Sequence, residues 1–306
     1  MKRTTSVKAW VSIFDFIQPF VKESLSNFID SNGNIKKVGA KPKFSDLDII
    51  TLSLVADSLS INSENLLFSK LRSEYQKDFP LLIDRSQFNR RRKHLRKIID
   101  LVRQSLVKKL LPAENIFILD SLPIEICKFA RAKRINICKE NTQTSLEYGY
   151  CASQNTYYFG YKFHDVCSLG GVMTSFDLSK ANHADIQYLR DIEPDYTDCL
   201  LLGDKAYLDS EYQLELFEKR GIQLNTPMRS NQKSYRKQPV LFRKVRKRIE
   251  TIFSQFVDQF VIRNNYAKTF IGLTTRILSK VTAFTLLQFI NFINNKPLNH
   301  IKHALA

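Results

Sequence analysis

Residues 116–120 read Ile-Phe-Ile-Leu-Asp, and residues 199–204 read Cys-Leu-Leu-Leu-Gly-Asp. Each is a short apolar run that ends in a carboxylate, which indicates a buried strand whose last residue leaves the core. Because open α/β sheets bind ligands beyond the carboxyl ends of their strands, we expect Asp120 and Asp204 to lie in one crevice. An Asp after a strand is also common turn chemistry, so the pair carries more information than either residue alone.

The sequence around these two runs alternates between strand and helix patterns. Further strands are predicted over residues 157–166, 172–178 and 222–225, and helices over residues 183–192 and 209–220. Gly170 and Gly171 predict a hairpin turn, Asp209 predicts a helix cap and Gly221 a helix end. Residues 128–155 are polar and basic and are interpreted as a long loop. This order predicts an α/β fold with a mixed sheet flanked by helices.

The region before this sheet, residues 1–112, has an all-helical pattern. Helices are predicted over residues 46–58, after the N-cap Ser45, over residues 64–75 and over residues 88–110. The early turns of the third helix are basic and include Arg90, Arg91 and Lys93. A basic helix after two or three short ones predicts a helix-turn-helix-like DNA-binding region, in which these cations contact phosphates. The alternative is the solvated face of an ordinary amphipathic helix.

The last part of the chain carries a basic segment and two apolar helices. Cations are dense over residues 229–248, and an amphipathic helix follows to about residue 260. A second apolar helix over residues 268–295 is expected to cover the sheet. The predicted organisation is therefore a helical region at 1–112, a catalytic domain at 113–260 and a C-terminal helical segment at 261–306 that packs on that domain.

Charge and composition restrict the partners. The 306 residues include 47 Lys and Arg against 30 Asp and Glu, a formal net charge of +17, which favours nucleic acid or an anionic membrane. The longest uncharged apolar run, 281–293, is too short for a membrane span, so nucleic acid is the preferred partner. Five scattered cysteines without a Cys-x-x-Cys pair indicate a reducing compartment, and we expect a cytoplasmic protein. No phosphate-binding glycine loop is present in the sequence, so ATP is not an expected cofactor.

A third acid, Glu250, lies on the predicted helix after the basic segment. Two strand-end aspartates and a helix glutamate in a basic chain suggest oxygen ligands for Mg²⁺ and an anionic substrate. Paired metal ions can activate the attacking oxygen and stabilise the leaving oxygen of a phosphodiester. Arg246 lies one helical turn before Glu250 and is either a phosphate contact or an ion-pair partner of that glutamate.

Four segments together resemble a DDE-type transposase of bacterial insertion sequences, which has a ribonuclease-H-like catalytic domain. They are Ile118-Leu-Asp120-Ser-Leu-Pro, Gly160-Tyr-Lys-Phe-His164, Leu202-Gly-Asp204-Lys-Ala-Tyr207 and Arg248-Ile-Glu250-Thr-Ile-Phe253. The similarity covers residues 115–295, and the order of all four segments is more specific than any one of them.

The resemblance implies that Asp120, Asp204 and Glu250 are the catalytic and metal-binding acids. It also implies two Mg²⁺ ions, which Mn²⁺ can replace, and a homodimer on double-stranded DNA made of element ends and target. Related sequences often place a Tyr, an Arg and a Lys around the final Glu; here Arg246 matches, while Arg243 and Val257 stand at the Tyr and Lys positions.

Further DNA contacts are predicted near these acids. Arg243 and Lys247 flank Arg246 in the basic segment, and Lys162 shares a strand face with His164. Lys162 and His164 are equally compatible with an ordinary polar surface.

The sequence therefore predicts a transposase that binds the ends of an insertion sequence and performs Mg²⁺-dependent cleavage and strand transfer. Two alternatives remain. One is a DNA-binding regulator or decayed transposase without activity, and the other is a ribonuclease-H-like nuclease that cleaves without joining.

Overall fold

The computed structural model describes residues 7–111, 114–152, 154–228, 231, 235–264 and 266–305. Pro112, at the predicted domain boundary, and Arg229 and Lys233 of the predicted basic segment lie outside these residues. The chain divides into two compact units. The helical unit comprises Met1–Lys109, Gln259–Val261 and Ile271–Ala306, and the sheet unit comprises Leu110–Asp258 and Ile262–Phe270.

Helices and strands follow the predicted order. The helices are α1 Val7–Ser24, α2 Asp46–Ser58, α3 Glu64–Glu74, α4 Arg85–His94, α5 Arg96–Leu110, α6 Asp185–Ile192, α7 Ser210–Arg220, α8 Val240–Asp258 and α9 Phe270–Ile293. The strands are β1 Ile116–Cys127, β2 Glu147–Cys151, β3 Thr156–Ser168, β4 Met173–Lys180, β5 Leu200–Leu202 and β6 Gln223–Asn225. Short 3-10 helices span Phe129–Arg134, Thr142–Thr144, Glu193–Asp195, Lys205–Tyr207 and Ile301–His303.

Capping residues explain where the best-predicted helices begin and end. The Ser45 hydroxyl accepts a bond from the Asp48 amide, and the Asp48 carboxylate accepts one from the Ser45 amide, which forms a capping box before α2. The Asp209 carboxylate caps α7 by accepting a bond from the Tyr212 amide, and Gly221 ends that helix in the left-handed conformation. The single helix predicted over 88–110 is instead two helices, α4 and α5, which are separated at Leu95, where φ is −82° and ψ is 3°.

The C-terminal helix α9 belongs to the helical unit. In this unit Lys280 pairs with Asp57 of α2 at 3.2 Å, and Arg276 pairs with Glu64 of α3 at 3.3 Å. The Phe289 ring meets Phe20 of α1 with 5.8 Å between centroids. Most residues of α9 are buried, as expected for a helix that is apolar on most sides.

Length and composition alone would allow α9 to cross a membrane, with a mean hydropathy of 1.3 over the best window. However, 78% of that window is buried inside the protein, as in the core helix of a globular unit. The two basic side chains Arg276 and Lys280 within it are paired with acids of the same unit. The helix therefore provides the core of the helical unit.

Among its described residues, the sheet unit contains six strands in the order β2-β3-β1-β5-β6, with β4 also paired to β3. β1 and β3 are antiparallel, as are β3 and β4, whereas β5 is parallel to both β1 and β6. The hairpin at Gly170 and Gly171 and the β3–β4 pairing confirm the prediction. β2 was not predicted, since it lies within residues 128–155, which were interpreted as a loop.

Helices cover both faces of this sheet. On one face, Phe253 and Phe256 of α8 pack on Phe163 of β3, with 6.3 and 5.9 Å between ring centroids. On the other face, Tyr188 and Leu189 of α6 join a buried cluster with residues of β1, β3 and α7. The result is a curled mixed sheet flanked by helices, which is a ribonuclease-H-like fold, as predicted.

The five cysteines are free thiols, and Cys138, Cys167 and Cys199 are buried. Burial raises the pKa of the Cys199 thiol to about 11, so it stays protonated at neutral pH. These side chains act as small apolar groups of the sheet unit.

Candidate active site

Asp120 and Asp204 come together because β1 and β5 are parallel neighbours. Ile118 is the last residue of β1 paired with β5, and its partner is Leu202. Asp120 follows Ile118 by two residues, and Asp204 follows Leu202 by two residues. The two aspartates therefore occupy equivalent positions beyond the paired part of β1 and β5. β1 was predicted to end at Asp120, but it continues to Cys127 through its pairing with β3. The aspartate lies where β1 loses its β5 neighbour.

The two carboxylates resist ionisation. Burial, followed by the charge of Asp204, raises the pKa of Asp120 to about 7. Burial also raises the pKa of Asp204, and the bond that Asp204 accepts from the Ala206 amide at 2.7 Å opposes this. A carboxyl that is protonated near neutral pH is typical of a functional site with closely placed acids.

Arg246 is the cation that α8 brings to these acids. The Nη2 atom of Arg246 lies 3.8 Å from Asp120 Oδ2. The exposed fraction is 20% for the Arg246 side chain and 21% for that of Asp120. Its charge lowers the pKa of both Asp120 and Asp204. Arg246 therefore pairs with Asp120 of β1. The sequence analysis had considered Glu250 as the ion-pair partner of Arg246.

Glu250 lies one turn beyond Arg246 on α8, and its side chain is exposed. The charges that raise the pKa of Asp120 are those of Asp204 and Asp185. Within the part of the chain that the structure describes, no group of three or more acidic, histidine or cysteine side chains has the spacing of a metal site. The structure therefore brings together two of the three predicted acids, and the role of Glu250 stays a prediction.

Asp185, at the start of α6, is a functional candidate that the sequence did not distinguish from an ordinary helix start. Its Oδ2 lies 3.2 Å from the Lys162 ammonium, and its charge raises the pKa of both Asp120 and Asp204. Lys162 also donates a bond of 2.7 Å to the His183 carbonyl. The predicted DNA contact Lys162 is thus held by α6 beside the acids.

His164 and Tyr207 are buried near the same group of acids. His164 bonds the Ser179 hydroxyl at 2.7 Å, and burial lowers its pKa, so the ring is neutral at pH 7. The Tyr207 hydroxyl is fully buried, and among the described atoms it has no hydrogen-bond partner. Burial and the charges of Asp185, Asp120 and Asp204 raise the pKa of this phenol. Apart from the position of Tyr207 in the segment that begins at Leu202, no sequence feature indicated this residue.

The remaining predicted DNA contacts have different surroundings. Arg243 and Lys247 are exposed on α8, and Arg90 is exposed on α4. Arg91 is instead bound within the helical unit, where its guanidinium donates to Asp46 at 2.6 Å and to the Phe44 carbonyl at 2.7 Å.

Asp120 and Asp204 are suitable ligands for a divalent cation. Mg²⁺ in phosphoryl-transfer sites is commonly held by one or two carboxylates together with substrate phosphates, so two protein ligands are sufficient. Burial and then the charge of Asp204 raise the pKa of Asp120, and a bound cation would favour the ionised form of both carboxylates.

The comparison with protein families agrees with this geometry. A family model described as a transposase DDE domain matches residues 112–266, which include Asp120, Asp204 and Glu250. The chain belongs to the family of transposase DDE domains. No curated protein and no solved structure matches the chain.

Proposed function

We propose that this protein binds the terminal inverted repeats of an insertion sequence, cleaves a phosphodiester at the element end and joins the freed 3′-OH to target DNA. The observation that carries this proposal is the pair Asp120 and Asp204 at the edge of parallel strands, in a chain of the transposase DDE family. Both steps are in-line phosphoryl transfers, so one site can serve water and then the DNA 3′-OH as nucleophiles.

Asp120 and Asp204 would hold Mg²⁺, which Mn²⁺ can replace, and Glu250 is proposed as the third acid. When bound, two such ions supply activation of the nucleophile and stabilisation of the leaving oxygen. The carboxylates must be ionised for this role, and the nearby Arg246 favours their ionised form. Glu250 is exposed on α8, where a bound DNA strand could approach it.

Arg246 is proposed to orient a phosphate of the scissile strand. It lies 3.8 Å from Asp120, so a phosphate that it contacts would be next to the metal-binding acids. Arg243 and Lys247 lie on the same helix and are exposed, and we assign them to the DNA backbone on either side. These contacts position the substrate without reading its sequence.

We assign recognition of the element ends to the helical unit. Arg90 is exposed on α4, and a cleft of about 550 Å³ in this unit is lined by Arg90 together with Lys43 and His94. The bound partner is double-stranded DNA, and two copies of the protein would be needed to hold two ends. Arg91 and Arg92 instead pair with acids of their own unit.

The direct test uses a labelled duplex that carries one element end, with Mg²⁺ and a target plasmid. Asp120→Asn and Asp204→Asn should each reduce cleavage by at least about a thousandfold, because the metal-binding acids would be lost. Glu250→Gln should have a comparable effect if it is the third acid. Binding of the uncut duplex should persist in all three variants, since cations supply most of the affinity.

The control is Glu211→Gln, on the first turn of α7, which should cleave like the wild type. Wild-type cleavage by Asp120→Asn or Asp204→Asn would contradict the assignment of that residue. Cleavage without joining would identify a nuclease, and duplex binding without cleavage by the wild-type protein would identify a DNA-binding regulator.

A further inference from the structure

A second surface of the sheet unit is both aromatic and basic. Four aromatic side chains lie exposed near the β2–β3 ribbon, and their exposed fractions are 51% for Phe129, 41% for Tyr148, 48% for Tyr150 and 69% for Tyr157. We call these four residues the aromatic surface. Large aromatic side chains are usually buried, so this much exposed ring area at one place indicates a contact surface.

The strand register explains why the rings are together. Tyr150 faces Tyr157 across the β2–β3 ladder, and Tyr148 faces Phe159. Alternate residues of a strand lie on the same side, so these residues share one face of the sheet. Neighbouring rings lie 4.9 Å apart for Tyr150 and Tyr157, and 5.1 Å apart for Phe129 and Tyr148.

Positive charge lies beside these rings. The 3-10 helix Phe129–Arg134 contacts β3 and carries three exposed cations, and Lys128 precedes it. These cations are Arg131, Lys133 and Arg134. Two acids, Glu125 and Glu147, lie on the adjoining strands, and both are opposite Gly160 in the strand register. Because side chains alternate along a strand, both lie on the sheet face opposite to Phe159 and Tyr157. The aromatic face is thus bordered by cations and not by these acids.

We propose that the aromatic surface binds unpaired nucleotides of a DNA strand. Stacking on a protein ring requires a free base face, which a single strand offers and a duplex does not. Adjacent cations then neutralise the phosphates between stacked bases. A purely aliphatic protein partner would have no use for these cations, so charge complementarity favours the nucleic acid.

The position of this surface suits a strand cut at the proposed active site. Asp120 pairs with Asp165 of β3, and alternation from Asp165 places Tyr157 and Phe159 on the same sheet face. β1 extends from Asp120 to Cys127, about 23 Å at 3.3 Å per residue, and Cys127 pairs with Phe159. A strand of several nucleotides would connect the two places. Only the source of that strand rests on the proposed function, because binding itself requires no cleavage.

The test measures fluorescence anisotropy of the full chain in EDTA, with a labelled oligothymidine and a duplex, each of about 16 nucleotides. Tyr157→Leu should weaken single-strand binding about tenfold or more and change duplex binding by less than about twofold. Tyr157→Phe keeps the ring and should bind like the wild type. Phe217→Leu removes an aromatic side chain of α7 that is 53% exposed, and it should also bind like the wild type.

A double variant tests the cations. Arg131→Gln with Lys133→Gln should lower the slope of log K against log salt by about 1.4 for the single strand, since each phosphate contact contributes about 0.7. Asp120→Asn should keep single-strand binding, which separates this proposal from the proposed chemistry.

Wild-type single-strand affinity of Tyr157→Leu, or an equal loss for strand and duplex, would overturn the proposal. The proposal would also be overturned if Tyr157→Leu lost self-association in sedimentation but kept its oligonucleotide binding. The aromatic surface would then be a contact between copies of the chain. Thermal unfolding of each variant confirms that it is folded, and Tyr157→Phe provides the folded, ring-bearing reference.

Discussion

Both units of this protein contain buried charged side chains, but the buried acids of the helical unit lie closer to their cations than the two strand-end acids of the sheet unit do. In the helical unit, Asp57 has Lys280 at 3.2 Å, and Glu64 has Arg92 at 2.6 Å and Arg276 at 3.3 Å. In the sheet unit, burial and then the charge of Asp204 raise the pKa of Asp120 to about 7, and Arg246 lies 3.8 Å from Asp120.

The difference indicates which buried charges serve folding and which serve function. An acid that is matched by a cation holds helices together, and removing one partner leaves the other without compensation. Among the described residues, Asp120 and Asp204 have no cation as close as those of the helical unit, and they retain negative charge that the fold itself does not need. Such a site gains stability when a cation binds, which is the property expected of a metal-binding centre.

The largest expected effect comes from breaking the matched pair. Asp57→Ala leaves the Lys280 ammonium buried, with the Phe260 carbonyl as a remaining acceptor at 2.6 Å. We expect a loss of about 3–5 kcal/mol in the free energy of unfolding. Urea unfolding followed by the fluorescence of Trp10, the single tryptophan, reports on this unit. The control Asp57→Leu with Lys280→Met should lose much less, and a loss below about 1 kcal/mol for Asp57→Ala would contradict the comparison.

Removing the negative charge of Asp120 should instead increase the free energy of unfolding. Since the folded pKa of Asp120 is about 7 and its ordinary value is 3.8, the folded protein holds a proton that the unfolded chain has lost between these pH values. Stability therefore falls as pH rises from about 4 to about 7. Asp120→Asn should stabilise the protein by about 2 kcal/mol at pH 8 and should have no effect near pH 4. Calorimetry at both pH values measures this, and destabilisation at pH 8 would refute it.

Removing Arg246, the cation nearest to Asp120 in the part of the chain that the structure describes, should show the same dependence on pH. Arg246→Gln takes away a charge that lowers the pKa of Asp120 and Asp204, so we expect a loss of about 1 kcal/mol at pH 8. The loss should be smaller at pH 5, where Asp120 is protonated. In the Asp120→Asn background, the stability loss caused by Arg246→Gln should be smaller still. Equal losses at the two pH values would show that Arg246 acts through packing.

The smallest effect is expected at an exposed pair. Lys219 and Glu215 of α7 lie 2.5 Å apart, with both side chains largely exposed, at 63% and 45%. Water and salt screen such pairs, so Glu215→Gln should leave the urea midpoint within experimental error. A clear shift would show that ion-pair distance, and not burial, determines the effects at the other sites.

The sequence predicted elements whose ends are fixed locally. Ser45 begins α2, Asp209 and Gly221 bound α7, and the glycine pair at residues 170–171 produces the β3–β4 hairpin. Asp204 follows β5 as expected. In each case the deciding residues lie within a few positions of one another, so no distant contact is needed.

Elements that depend on distant partners were not predicted. β1 runs past Asp120 and through Pro123 because β3 pairs with it there, while β5 pairs only with residues 116–118 and leaves the proline edge free. β2 exists through its pairing with β3. The ion pairs of α9 with Asp57 and Glu64 join residues that are far apart in the chain. The approach of Asp185 to the acids likewise depends on packing of α6.

The division of the chain has a consequence for shortened copies of the gene. The polypeptide passes between the two units after residues 109, 258, 261 and 270, so neither unit is one continuous segment. A stop codon near residue 260 would preserve every strand of the sheet and remove α9, which completes the core of the other unit. Such a product would keep Asp120, Asp204 and Glu250 while losing the unit to which we assign end recognition. Under that assignment, such truncated products would compete poorly with the full-length chain for DNA ends.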